Sequence, residues 1–297
     1  MLYGIHPVSC AVAAGHRQLR AAWVATSESR SKSLGPVVAA LTAAGVPVTR
    51  TDATTLGAMA GGAAVHQGIV VAASPLTLPV AGGDDDTFLA AMRAARAPTL
   101  VVVLDGVTDP HNAGTVLRSA ALLGVDAVLL PLHASAPLNA TVSKTSSGAL
   151  ELLAASRRLW HVRNVAALLP HLQEAGWRVL VAAAPPATPR GDSATAAPST
   201  QQPHLSADAL RRDVHTVLIL GSEGAGVRKG LRDGADATVS IAQAPVLTPP
   251  APATAPAASD ASAQPPPPLR LLESLNVSVA AGVLFHALRP LPSVGDK

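Results

Sequence analysis

The strongest constraint on this chain is a pair of short apolar runs separated by one polar segment. Val101, Val102 and Val103 lead into LDGVTDPHNAGTVLRSAALLG, residues 104–124, and DAVLLP follows directly. Unbroken runs of β-branched and aliphatic residues read as buried strands. Between them Asp109-Pro110 makes a turn, and Asn112 is expected to cap a helix running to about Leu123. The unit is strand, polar loop, helix, strand. Open α/β sheets bind ligands at polar loops on the carboxyl ends of their strands, so residues 105–118 are the first place to look for a site.

The flanking sequence extends the same alternation. Residues 1–74 read as a small α/β domain with strands Trp23–Thr26, Val46–Thr49 and Gly68–Ala73 and a helix ending at Gly45, a residue suited to the left-handed position past a helix end. Residues 75–98 read as a linker with one short helix, Thr87 to Ala97, whose entry the acidic run Asp84–Asp86 favours. Residues 99–291 read as a second α/β domain with strands Trp177–Ala182, Val214–Leu220 and Ala237–Ala242 and a last helix from about Ser274 to Leu288. Two Pro/Ala-rich inserts, at about 183–205 and 244–269, are low in complexity and predict disorder. Inserts of this length are tolerated because loop closure grows costly only slowly with length.

Composition narrows the partners. The chain is 48% hydrophobic and 2% aromatic, so its core is built from small aliphatic side chains. Its single cysteine, Cys10, excludes an internal disulfide and a multi-cysteine metal site. The ten histidines show no His-x-x-x-His or Glu-x-x-His spacing, so no metal is assigned. A net charge of +3 permits an anionic partner without demanding one. The longest uncharged stretch before the C-terminal region, 53–83, is broken by glycines, two prolines and His66-Gln67, which is unlike a membrane span. No signal-like leader is visible at the start.

Three polar, glycine-containing segments, 105–118, 221–230 and 274–278, each adjoin a strand or open a helix and are expected to converge on one pocket. GSEGAGVRKG lacks the Gly-Lys-Ser/Thr order of a P-loop, and no GxGxxG opens a first βαβ unit. No Gly-x-Ser-x-Gly elbow favours a hydrolase. Arg118 stands on an otherwise apolar helix, Glu223 is the carboxylate of the second segment, and Lys144, Ser146 and Ser147 lie in a further polar loop. Val279, Val283, Leu284 and Leu288 share an apolar stripe on the last helix, suited to an intramolecular core or to a second subunit.

Taken together, these segments resemble the SpoU-type RNA 2′-O-ribose methyltransferases of the SPOUT superfamily. DPHNAGTVLRSA matches the first motif with Asn112, Gly114 and Arg118. LILGSEGAGV matches the second with Gly221, Glu223 and Gly226, and SLNVSVAAG the third with Leu275, Asn276 and Ser278. YGIHPV at 3–8 and HQGIV at 66–70 look like the substrate-binding domain of the large-subunit rRNA guanosine methyltransferases, and VSKTSSGALELL at 142–153 looks closest to their mitochondrial branch.

The resemblance implies an α/β-knot catalytic domain with a deep trefoil knot, a small L30e-like N-terminal domain and a homodimer. It implies S-adenosylmethionine as cofactor, held by Leu220, Gly221, Gly226, Ile241, Leu275 and Asn276. It implies catalysis by Arg118, positioned by Asn112, Glu223, Asn276 and Ser278, on a guanosine of large-subunit rRNA, in an organelle or a bacterial cytoplasm. A tRNA methyltransferase of the same family and a non-catalytic ribosome-assembly factor are the alternatives. With Tyr3 and Trp23 the only aromatics before Phe88, RNA recognition is expected to lean on Arg17, Arg20, Arg30 and Lys32.

Overall fold

The computed structural model describes residues 1–26, 31–62, 65–82, 87–185, 202–243 and 274–290. The first unit contains β1 (Leu2–Tyr3), α1 (Ile5–Ala14), β2 (Leu19–Ala25), α2 (Ser31–Ala43), β3 (Val48–Thr51), α3 (Ala53–Met59) and β4 (Ile69–Ala73). Its sheet has the order β1-β4-β2-β3. β4 runs antiparallel to β1 and β2, and β2 runs parallel to β3. α1 and α2 cover one face through Val8, Leu34, Val37 and Leu41, while Leu56 of α3 packs with Tyr3 and Val70 on the other. Tyr3 is thereby taken into the core rather than left for base stacking.

The second unit is one eight-stranded sheet in which every neighbouring pair is parallel. Its strands are β5 (Val80–Ala81), β6 (Leu100–Asp105), β7 (Ala127–Pro131), β8 (Leu159–Val162), β9 (Arg178–Ala182), β10 (His204–Ser206), β11 (Thr216–Gly221) and β12 (Ala237–Ser240), in the order β10-β12-β9-β11-β6-β7-β8-β5. Leu100, Val102 and Leu104 point to one core, and Val101 and Val103 to the other, so β6 is apolar throughout because both faces are covered. The covering helices are α4 (Thr87–Ala94), α5 (Pro110–Leu122), α6 (Ala140–Thr145), α7 (Ala149–Ala155), α8 (Val165–Glu174), α9 (Lys229–Asp233) and α10 (Val277–Ala287).

Strand order, more than any single motif, decides where a ligand can sit. After β6 the chain moves outward on one side to β7 and β8. After β11, the neighbour of β6, it moves to the other side to reach β12. A crevice opens outside the carboxyl ends of a parallel sheet where the winding direction reverses. Here that point lies between the loops that follow Asp105 and Gly221, two residues paired across the sheet.

Several sequence expectations are corrected. Residues 80–81, read as linker, add an edge strand to the large sheet, because their backbone pairs with His161 and Val162 of β8. Residues 204–206, the first two of them read as the end of the first insert, form β10 against β12. The helix expected to Ala97 stops at Ala94. The acidic run at 84–86, residues 186–201 of the first insert and the whole second insert lie outside the described residues. Among the described residues no helix is long and apolar enough to cross a membrane.

The two units are joined by buried polar contacts. Arg17 lies between β4 and α7. It donates from Nε to Glu151 Oε2 at 2.7 Å, from Nη2 to Oε1 at 3.1 Å, and from Nη1 to the Ser74 carbonyl at 2.9 Å. Glu151 is fully buried and also accepts from Ser143 Oγ at 2.9 Å. Lys144 Nζ donates to Gln67 Oε1 at 2.6 Å, and burial holds its pKa below the usual lysine value. Arg17 is therefore a structural cation, not an RNA-facing one. Arg20 stays exposed, while Arg30 and the Lys32 side chain lie outside the described residues.

Candidate active site

The first loop is built differently from the sequence expectation. Asp109, not Asn112, is the N-cap of α5: its Oδ2 accepts from Asn112 N at 2.8 Å, and Pro110 takes the first helical position. The Asn112 side chain is thus free of capping duty and reaches across to the second loop. There its Nδ2 donates to Glu223 Oε1 at 3.0 Å.

Glu223 Oε1 collects donors from two elements. Besides Asn112 it accepts from Asn276 Nδ2 and, at 3.3 Å, from the backbone N–H of Val277, the first residue of α10. Asn276 Nδ2 also donates to Asn112 Oδ1 at 3.0 Å. A carboxylate at a helix N-terminus is favoured by the helix dipole and by the unpaired N–H groups there. Asn276 completes the cap, its Oδ1 accepting from Ser278 N at 2.8 Å and Ser278 Oγ at 2.5 Å. One residue from each of the three polar segments meets in this clasp.

Beneath the second loop, Asp105 is buried at the end of β6. It accepts from Arg228 N at 3.0 Å and from Arg228 Nε at 2.7 Å. This ties residues 222–228 down over the switch point. The loop folds back tightly, with Ser222 and Gly226 exchanging backbone hydrogen bonds at 3.2 and 3.0 Å.

Beside the clasp lies a cavity of about 500 Å³. Leu220, Gly221, Gly226, Ile241 and Leu275, five of the six residues expected to hold a cofactor, line it. The sixth, Asn276, does not, because its amide is spent in the clasp. No residue of the first polar segment lines the cavity either. Ala183, Pro185, Gln243 and Ala280 are wall residues that sequence reasoning missed. Ala183 and Pro185 follow β9 in a stretch read as insert, and Gln243 directly precedes the other insert. The signal for Ala183, Pro185 and Gln243 was position just past the carboxyl ends of β9 and β12, visible only once the strand order is known.

Arg118 stands apart from the clasp. The sequence expectation had Asn112, Glu223, Asn276 and Ser278 position it, but its recorded partner among the described residues is Ser147, whose Oγ accepts from Arg118 Nη1 at 3.1 Å. The geometry of α5 explains this pairing. Gly114 lies one turn before Arg118 on the same helix face. A Cβ at Gly114 would stand 1.8 Å from Thr145 Oγ1 and 3.0 Å from Ser146 N. The glycine lets α5 lie close against α6, which brings the turn after α6 under Arg118.

The apolar stripe expected on the last helix divides between two faces. Leu284 and Leu288 are buried in the core with Phe285, whereas Val279 and Val283 are exposed. On α5, which packs against α10, Leu122 is 75% exposed. Among the described residues no cluster of three or more His, Cys, Asp or Glu side chains is placed to hold a metal ion.

With this geometry in hand, comparison with known proteins gives consistent matches. The sequence profile of the SpoU rRNA Methylase family matches residues 99–248. A profile described as RNA 2′-O ribose methyltransferase substrate binding matches residues 1–79. The chain is 32% identical over 290 residues to the 23S rRNA (guanosine-2′-O-)-methyltransferase RlmB of Vibrio vulnificus, covering 97% of this chain and 96% of that one. To the RlmB of Escherichia coli it is 31% identical over 291 residues, covering 97% and 98%. Among solved structures it is similar in fold to the SpoU methyltransferase AviRb from Streptomyces viridochromogenes in complex with AdoMet, with a TM-score of 0.61 at 18% identity over 96% of this chain and 87% of that one. An AdoMet-bound rRNA methyltransferase from Sinorhizobium meliloti gives 0.61 at 19% identity, over 96% and 85%.

Proposed function

Because the chain belongs to the SpoU rRNA Methylase family, we propose that it transfers the methyl group of S-adenosylmethionine to the ribose 2′-hydroxyl of a guanosine in large-subunit rRNA. The observation that carries this reading is the clasp of Asn112, Glu223 and Asn276 at the switch point, beside a cavity of cofactor size. The bacterial relatives favour bacterial 23S rRNA over an organellar rRNA as the substrate.

The cavity suits an adenosine. Leu220, Ile241, Leu275 and Leu284 give it apolar walls, and the loop from Gly221 to Gly226 presents backbone groups to it. Gly221 is the tightest point. A Cβ there would stand 2.2 Å from the carbonyl carbon of Gly226 and 2.3 Å from Val227 N, both backbone atoms that cannot step aside cheaply. Gly221→Ala is therefore expected to displace the loop and weaken S-adenosylmethionine binding by about tenfold or more, a loss on the scale of one displaced hydrogen-bonding segment. Calorimetric titration would read it, and unchanged affinity would remove the loop from the cofactor site.

When bound, S-adenosylmethionine supplies an electrophilic methyl group. Arg118 lies outside the cavity, on the neighbouring surface, where it would face the RNA. Its guanidinium offers N–H donors and no acceptor, so it acts by orienting the ribose and phosphate and by stabilising negative charge that develops on the 2′-oxygen. Asn112, Glu223, Asn276 and Ser278 hold the three loops in register and so fix the distance between cofactor and ribose. The N-terminal unit selects the RNA, with Arg20 among its exposed cations.

The reading includes a homodimer and a deep trefoil knot. The dimer is supported by Leu122, Val279 and Val283, large apolar side chains exposed on two helices packed against each other. Sedimentation equilibrium is expected to give twice the chain mass, and a monomeric wild type would overturn this part. The knot rests on the likeness in fold to the solved SpoU methyltransferases. Residues 244–273, which join β12 to α10, lie outside the described residues. The reaction itself is tested by transfer of labelled methyl to 23S rRNA and to tRNA, followed by mapping of the modified nucleotide. Label on the 2′-oxygen of one rRNA guanosine is expected. Label confined to tRNA, or none with cofactor bound, would replace this function.

A further inference from the structure

The turn after α6 carries an unexplained strain. Ser147 has φ +53°, a left-handed conformation that residues with a Cβ rarely adopt. Strain of this kind persists only where surrounding contacts over-determine it, and it clusters at functional positions. Two sets of contacts meet here. From one side Arg118 Nη1 donates to Ser147 Oγ. From the other, α1 of the N-terminal unit lies on the turn: Cys10 Sγ is 3.8 Å from the Ser147 carbonyl oxygen, within reach of a weak S–H donation. The next residue, Gly148, at φ +87°, is pressed so closely that a Cβ would stand 2.6 Å from Cys10 Cβ and Sγ and 3.0 Å from the His6 carbonyl oxygen. Burial, and then the charge of Glu151, push the Cys10 thiol up, so it remains a neutral S–H group.

We propose that Ser147 is the positioning residue for Arg118, and that α1 of the N-terminal unit sets its place by pressing on the turn at residues 147–148. An arginine on an exposed helix face has several free rotors, and one hydroxyl acceptor selects among them. The N-terminal unit then does more than bind RNA. Its docking, locked by the Arg17–Glu151 pair in the same interface, orients the charged group that meets the ribose. This proposal rests on the reading of Arg118 as the residue at the reacting ribose.

The test separates the two ideas. Ser147→Gly keeps the left-handed backbone and removes the acceptor, whereas Ser147→Asn tolerates that backbone and restores an acceptor oxygen. With saturating rRNA and S-adenosylmethionine, the single-turnover rate of Ser147→Gly is expected to fall by about tenfold or more, the scale of a charge-assisted hydrogen bond. Binding of cofactor and RNA should stay within about twofold, and Ser147→Asn should recover most of the rate. In an Arg118→Lys background, Ser147→Gly should add less than about twofold, because coupled residues are not additive. Cys10→Ala, which withdraws the thiol from the turn, is expected to slow the same step by about two- to threefold. A Ser147→Gly enzyme at the wild-type rate, with Arg118→Ala inactive, overturns the positioning role alone. An equal loss in both backgrounds also overturns it. Wild-type activity of Cys10→Ala removes the N-terminal lever. Wild-type activity of Arg118→Ala would instead remove the reading on which the proposal stands. Thermal melts identify any variant that fails to fold, and Ser147→Asn then supplies the deciding comparison with Arg118→Lys.

Discussion

Arg118→Ala is expected to lower the single-turnover rate of methyl transfer by about 100- to 1,000-fold, the range found when one preorganised donor to a developing oxyanion is removed. The side chain is exposed on α5 and outside the cavity wall. Its loss should therefore leave cofactor affinity and melting temperature close to wild type. That pattern separates a group acting at the ribose from one that holds the fold. Arg118→Lys keeps the charge but loses the planar fork, and is expected to fall between the two. A rate for Arg118→Ala within twofold of wild type, at saturating RNA, would end the assignment.

Glu151→Ala should cause the largest loss of stability. Glu151 is fully buried, and the Arg17 side chain it pairs with is 6% exposed. Removing the carboxylate leaves a guanidinium in the interior with only the Ser74 carbonyl as a recorded partner, and strands the Ser143 hydroxyl. Breaking a buried pair from one side costs about 3–5 kcal/mol. For a protein of this size that lowers the melting temperature by on the order of 10 °C. Replacing both partners, as Arg17→Met with Glu151→Met, should recover most of the loss, because no unpaired charge then remains. A double variant no more stable than Glu151→Ala would mean that the pair contributes more than the relief of its own desolvation.

Much of this architecture is legible in the chain because a strand buried on both faces has no polar alternation. Val101–Val103 and the apolar run before Gly221 announce a parallel sheet, and the three polar loops between such runs announce a site. What could not be read was which loop atoms meet. Asn112 looked like a helix cap because Asp109 and Asn112 are both good caps, and only the backbone path shows that Asp109 takes the duty. Arg17 looked like a surface cation because its partner, Glu151, is far away in sequence and sits in an apolar helix. The pairing of Arg118 with Ser147 was hidden for a similar reason: Gly114 reveals a close helix contact only when α6 is seen lying against it. The wall residues 183 and 185 were masked by their composition, since Ala-Pro sequence reads the same at a strand end as in an insert.

The pairing of β6 with β11 also sets the order of assembly. These central neighbours are separated by on the order of a hundred residues, and parallel pairs of such separation form slowly because a long loop must close first. As the chain emerges from the ribosome, β6, β7 and β8 can pair in turn, but the β6 edge that will receive β11 stays open until residue 221 is free. An open apolar edge is a template for pairing with other chains. β11 therefore seals that edge, but the cavity is whole only when Ile241, Leu275 and Leu284 have followed, so a nascent or truncated chain is both aggregation-prone and inactive.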